Sequence, residues 1–206
     1  MPDLDHRFTK SDVVVLSRES THSGFLKVDR VRLKHKMFYG DWSSSIQREL
    51  LVRGQAVGIL LFDPKRDEIV LVRQFRIGVM EGLEEAWILE IVAGMVGEEE
   101  ELFDVAIRET KEESGCKILE LIKICDYYSS PGTTNEKITL YCGLIDAEHV
   151  GCIHGLKEEH EDIEPIVFPC ENVMSFLESG VINNSMSIIA LQWLMLNKEE
   201  IMGKWK

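Results

Sequence analysis

Eight of the sixteen residues from Glu98 to Glu113 are acidic, yet Leu102, Val105, Ala106 and Ile107 lie among them. Carboxylates at this density can form a solvated helix face, hold hard divalent cations, or move protons. At about 100° per residue, Glu109 and Glu113 fall within roughly 20° of Leu102, and Glu112 falls a similar angle from Val105. These three glutamates therefore continue the apolar stripe, while Asp104 and Lys111 point away from it. Composition alone favours a solvated face, but the geometry argues otherwise. Three carboxylates within about one turn repel one another, and burying them beside apolar groups raises their pKa and destabilises the fold unless a counter-ion is present. Oxygen ligands at i, i+3 and i+4 suit Mg2+ or Mn2+, which commonly bridge to phosphate. Arg108 lies four residues before Glu112 and can hold that carboxylate in place.

A second group of carboxylates, Glu158, Glu159, Glu161 and Asp162, lies in "HGLKEEHED", which on composition is an acidic, solvated loop. Arg48, Arg53 and Arg76 read as ordinary surface cations, yet guanidinium groups also give bidentate phosphate contacts. Phe25 stands at a strand start, where a core aromatic is the common outcome. His154 and His160 are unsuited to hard Mg2+, which prefers oxygen.

These residues must be positioned by a mixed set of elements. Residues 12–53 contain the β-like runs "DVVVLS", "GFLKVDRVRLKH" and "MFYGDW" and no helical period, which predicts a small antiparallel lobe. From Gln55 follow "AVGILLF", a turn "DPKRDE" and "IVLVRQF", read as a hairpin; "AWILEIVAG", read as one further strand; then the acidic helix. The strands "ILELIKICDYY", "KITLYCGLID" and "IEPIVFP" flank a long loop over 147–162, and helices are expected over 171–178 and 186–200. Strands on both sides of a helix predict a mixed α+β domain built as an α/β/α sandwich.

The net charge of −13 argues against a nucleic-acid or anionic membrane partner. The polar amino terminus carries no visible secretory signal, and no apolar run approaches the roughly 20 residues that a membrane span needs. Five cysteines without C-x-x-C spacing suit a reduced, cytoplasmic protein.

The pattern Gly94, Glu100, then "RETKEESGC" resembles the Nudix box, G-x5-E-x7-R-E-U-x-E-E-x-G-U, at every fixed position. Thr110 and Cys116 stand where that pattern has aliphatic residues. Pro131, sixteen residues after Gly115, together with "LEIVAGM", "SSPGTTNE", "CIHGLKEEHEDI" and "SIIALQWL", is similar to the ADP-ribose pyrophosphatase branch of the family over nearly the whole length. The resemblance implies a Nudix fold over 54–206 and an N-terminal lobe over 1–53 that exchanges between the subunits of a homodimer with a shared active site. It implies hydrolysis of ADP-ribose to AMP and ribose 5-phosphate. Two or three Mg2+, or Mn2+, per site would be held by Glu109, Glu112, Glu113, Glu161 and the carbonyl of Ala93, with Glu159 as base. Glu158 and Asp162 are the neighbours that a one-step shift in register would select. Phe25 would stack on adenine beside Leu26; Arg48, Glu49, Arg53, Arg76, Met95, Ser130, Pro131, Gly132 and Glu136 would complete the substrate site. A broader nucleoside diphosphate sugar hydrolase and a non-catalytic ADP-ribose sensor are the alternatives, the latter weakened by the intact glutamates.

Overall fold

The computed structural model describes residues 8–82 and 85–204. The chain divides into two compact units, the first holding the chain up to Gly54 together with Tyr128–Glu136, the second holding Gln55–Tyr127 and the chain from Lys137 onward.

In the first unit β1 (Val13–Ser23), β2 (Lys27–His35) and β3 (Ile46–Val52) form an antiparallel sheet in that order. The run "MFYGDW" is a turn and not a strand. Met37 N–H donates to the Asp41 carbonyl at 2.9 Å, and Gly40 adopts a φ of 108 that few other residues tolerate. The third strand comes instead from "IQRELLV", whose mixed charges hide its period. Residues 128–136 belong here through backbone pairing: Leu51 N–H donates to the Thr133 carbonyl at 2.9 Å, and Asn135 N–H to the Leu51 carbonyl at 3.3 Å.

The second unit is built on a seven-stranded sheet. Its strands are β4 (Gln55–Asp63), β5 (Glu68–Phe75), β6 (Trp87–Glu90), β7 (Val92–Met95), β8 (Glu120–Tyr128), β9 (Lys137–Leu144) and β10 (Glu164–Pro169), in the main order β10-β5-β4-β9-β8. The parallel β4–β9 pair makes the sheet mixed. β4 and β5 pair only where Leu61–Asp63 meet Glu68–Val70; beyond that they part, β6 taking Val72–Phe75 and β7 taking Ala56–Ile59. "AWILEIVAG" therefore makes two strands, broken at Ile91, whose N–H donates to Ser187 Oγ at 3.0 Å.

The period of two along β4 feeds two cores. Val57, Ile59 and Leu61 pack with Val105 and Ala106 of α1 (Leu102–Ser114). Leu60 and Phe62 pack with Val173 of α2 (Asn172–Ser179) and with Ala190, Leu191 and Leu194 of α3 (Ser185–Lys204). The result is the expected α/β/α sandwich, with α1 alone on the face that carries the acidic residues.

A buried carboxylate ties the turn end of the β4–β5 hairpin to the segment that follows β9. Asp63 Oδ1 accepts from Lys65 N–H at 2.9 Å and Arg66 N–H at 3.2 Å, while Oδ2 accepts from Ala147 N–H at 2.9 Å and from Arg66 Nη1 at 3.3 Å. Burial pushes this carboxyl up, but the three backbone donors and Arg66 outweigh it and leave the pKa below the ordinary 3.8. The ionised form is thus the stabilised one, with its full contribution above pH 3.8 and its loss as the pH falls through the lower folded-state value. Asp63→Asn keeps one acceptor and turns an amide donor toward backbone donors, so it should cost about 2 kcal/mol at neutral pH. Urea denaturation should find that gap near pH 7 and a gap that shrinks as the pH is taken progressively below 3.8; a gap independent of pH contradicts the assignment.

Candidate active site

On α1 the buried residues are Val105, Ala106, Thr110, Glu113 and Ser114, so the stripe read from spacing is the packed one. Thr110, at an aliphatic position of the box, satisfies its hydroxyl within the helix by donating to the Ala106 carbonyl at 2.8 Å. Glu113 is only 3% exposed, and its Oε2 accepts from Ala93 N–H on β7 at 3.2 Å. Glu109 lies over Gly94 so closely that a Cβ there would overlap its carboxylate. The glycine that opens the box is therefore what admits Glu109 to the sheet.

Arg108 organises the remaining carboxylates, meeting Glu112 Oε2 at 2.9 Å, Glu109 Oε1 at 3.0 Å and Glu100 Oε1 at 3.3 Å. Glu100 also accepts from Gly97 N–H at 2.9 Å, bracing the segment that enters the helix. One guanidinium serves three carboxylates and does not reach Glu113. Burial pushes the Glu109 carboxyl up, Arg108 pulls it down, and Glu112 and Glu161 raise it again, leaving it at about 7. Glu113 rises further, to about 8: burial dominates, the Ala93 N–H and Arg76 lower it, and Glu109 and Glu161 raise it.

The loop that brings Glu161 here is docked on the end of α1. Gly115 closes the helix in the left-handed region at φ 70, and a Cβ there would meet the His154 imidazole at 2.5 Å. Gly155 N–H donates to the Glu112 carbonyl at 3.0 Å, one of the acceptors that a helix end leaves unpaired. A short 3-10 turn at Lys157–Glu159 follows, then His160 at φ 57 reverses the chain. Glu161 N–H donates to the Leu156 carbonyl, and Leu156 N–H returns a bond to Glu161 Oε2, each at 3.1 Å. Glu161 is half-buried and acts on Glu109 and Glu113, whereas Glu158 and Glu159 are exposed on the turn and Asp162 is exposed beyond it.

The second unit thus gathers Ala93, Glu109, Glu112, Glu113, Glu161 and Arg76. Among the described residues no three Asp, Glu, His or Cys side chains are arranged to close on one ion, and Glu109 and Glu112 both pair with Arg108. Met95, on β7, is 40% exposed. In the first unit Phe25 is exposed, with the Arg53 guanidinium 5.9 Å from its ring centre; Arg53 Nε meets Glu136 Oε1 at 3.4 Å, and Arg53 N–H donates to Asn135 Oδ1 at 2.9 Å. Leu26 is exposed at the same turn. Ser130, Pro131 and Gly132 form the turn beside Glu136, closed by Thr133 N–H on the Ser130 carbonyl at 3.0 Å. Arg48 and Glu49 are neighbours on β3, so their side chains leave on opposite faces. Sequence reasoning missed Glu90. It is 5% exposed and accepts from Arg76 Nε at 2.6 Å. Its signal was a single carboxylate inside the apolar run "AWILEIVAG".

Comparison with known proteins identifies the family. The NUDIX domain matches residues 52–185, and the chain belongs to the Nudix family. Among its relatives, the ADP-ribose pyrophosphatase of Escherichia coli K12 is 40% identical over 205 residues, covering 99% of this chain and 98% of that one. The ADP-ribose pyrophosphatase of Haemophilus influenzae is 38% identical, covering 100% and 96%. A GDP-mannose pyrophosphatase of Escherichia coli O1:K1 is 30% identical over 154 residues, 73% of this chain and 78% of its own length. A solved structure titled "Crystal structure of ADP compounds hydrolase" superposes with a TM-score of 0.71 at 21% identity, covering 92% and 96%, and supports the fold.

Because Glu109 and Glu113 titrate above their ordinary 4.5, the folded chain holds more protons than the unfolded chain between about 4.5 and 8. Their contribution to stability therefore falls as the pH rises through that range. Thermal unfolding without divalent cations should give a lower Tm near pH 8.5 than near pH 6, and Glu113→Gln should flatten that slope. A variant with the wild-type slope contradicts the buried-carboxyl account.

Proposed function

We propose that this chain hydrolyses the pyrophosphate bond of ADP-ribose with water, giving AMP and ribose 5-phosphate. The observation that carries the chemistry is the surplus of negative charge around Glu113: three glutamates on one face of α1 and Glu161 opposite them, with Arg108 committed to Glu100, Glu109 and Glu112. Hard oxygen donors in surplus fit a divalent cation, and we infer Mg2+, with Mn2+ as a substitute, at two or three ions per site held by Glu109, Glu112, Glu113, Glu161 and the Ala93 carbonyl. Such ions supply a water of lowered pKa and neutralise charge on the leaving phosphate. To take them up, Glu109 and Glu112 must release Arg108.

Glu159 accepts the proton of the attacking water once the loop that carries it closes, which reserves the base for a site already filled. Arg76 binds the pyrophosphate and Met95 lines the substrate. Phe25 stacks on adenine beside Leu26, and Arg48, Glu49, Arg53, Ser130, Pro131, Gly132 and Glu136 contact the rest of the substrate. The working form is a cytoplasmic homodimer with a shared active site, in which 1–53 serves dimerisation and 54–206 catalysis. The choice of ADP-ribose is supported by relatives of that name matching nearly end to end, where the GDP-mannose pyrophosphatase matches about three quarters of the chain. Cleavage of other nucleoside diphosphate sugars is the second reading, favoured by that same partial match.

Purified protein incubated with Mg2+ and ADP-ribose, ADP-glucose, GDP-mannose, UDP-glucose or NAD should release AMP and ribose 5-phosphate preferentially from ADP-ribose, as read by anion-exchange chromatography. Glu113→Gln should abolish this. Glu159→Gln should lower kcat by about a hundredfold or more with little change in KM. Binding of ADP-ribose without cleavage of any compound would replace the enzyme by a sensor, and normal turnover by Glu159→Gln would remove the base.

A further inference from the structure

Arg76 is anchored in an unusual way for a surface cation. Its Nε donates at 2.6 Å to Glu90, whose side chain is 7% exposed while that of Arg76 is 41% exposed. No other side-chain hydrogen bond or ion pair of Arg76 exists among the described residues, so both terminal NH2 groups remain for another acceptor. A guanidinium held by its Nε edge presents those two groups as a fixed fork, the geometry that grips two phosphate oxygens. Glu90 lies opposite Val72 in the β5–β6 pairing, and Val72 belongs to the core against α1. The fork therefore stands on the face that carries Glu113, whose carboxyl Arg76 lowers.

A second observation concerns Gln74. It pairs with Ile88, one step diagonally from Glu90 on the same face, where long side chains reach one another. Gln74 is 6% exposed, and its Nε2 has no hydrogen-bond partner. A buried amide donor without an acceptor is uncommon and costly. Glu90 is an acceptor on that face with lone pairs beyond the one that Arg76 fills. With Arg76 Nε on one oxygen of Glu90, the other oxygen of this buried carboxylate can still take a donor.

We propose that Glu90 is a positioning residue that makes Arg76 a phosphate-binding fork, and that Gln74 is the reserve donor that steadies Glu90 while Arg76, still held at Nε, grips the pyrophosphate of a nucleoside diphosphate. The inference rests on the reading of Arg76 as a pyrophosphate contact. Neither Glu90 nor Gln74 touches substrate; both act through Arg76.

The test is a double-mutant cycle on the full chain with ADP-ribose and Mg2+, each variant's folding checked by its thermal transition. Glu90→Met should raise KM about tenfold with kcat within about threefold of wild type, and Glu90→Gln, which keeps an acceptor for Nε, should fall between. Gln74→Met should raise KM about threefold. In an Arg76→Ala background Glu90→Met should add nothing. An unchanged KM for Glu90→Met, or an equal loss with and without Arg76, overturns the positioning role, and an unchanged KM for Gln74→Met overturns the reserve donor. If Glu90→Met does not fold, Arg76→Lys decides: one ammonium cannot be both anchor and fork, so this variant should resemble Arg76→Ala, and near-wild-type KM overturns the proposal. If wild type leaves ADP-ribose intact, the substrate reading has failed. The same cycle is then read as Kd for inorganic pyrophosphate with Mg2+, where a tenfold weakening supports the fork and none overturns it.

Discussion

Glu113 sits almost out of contact with water, with one backbone N–H on its carboxylate and two further glutamates acting on it. Ionising such a group without added positive charge is unfavourable, and burial sets the cost. Much of the surrounding architecture serves to create this situation. β4 and β5 part after three residue pairs, and β7 fills the opening so that Ala93 N–H reaches Glu113 and Gly94 leaves room for Glu109. The alternation along β4 holds α1 against that opening through Val57, Ile59 and Leu61.

Arg108 and the 147–162 loop bound the negative charge from two sides. Arg108 pairs with both Glu109 and Glu112 and so holds the cluster in order. The loop is tied to the same helix through Gly155 and the Glu112 carbonyl, with His154 packed over Gly115. Its carboxylate Glu161 is fixed by Leu156 N–H, whereas Glu159, two residues earlier, faces solvent. One loop thus carries a fixed carboxylate and an exposed one.

What was legible in the sequence followed from local periodicity. The 3.6-residue period of α1 placed Glu109 and Glu113 on the packed side, and the strand–helix alternation gave the sandwich. What was hidden depends on contacts between distant segments. Nothing near Thr133 announces its bond to Leu51, so residues 128–136 could not be assigned to the first unit. "IQRELLV" lacks an apolar period because its strand is only partly covered, and "MFYGDW" has strand composition around a glycine that must turn. "AWILEIVAG" reads as one strand because the parting of β4 and β5 that divides it is a property of the sheet. Glu159 and Glu161 cannot be ranked by type, since the left-handed turn at His160 separates them.

We propose that a divalent cation discharges the two carboxyls held near neutrality. Calorimetric titration of the metal-free chain with Mg2+ at pH 7, repeated in buffers of different ionisation enthalpy, counts the protons released on binding. With Glu113 at about 8 and Glu109 at about 7, binding should release about one proton or more, and Glu113→Gln should remove most of that release. Binding with no proton release, or a release unchanged in the variant, would contradict the account.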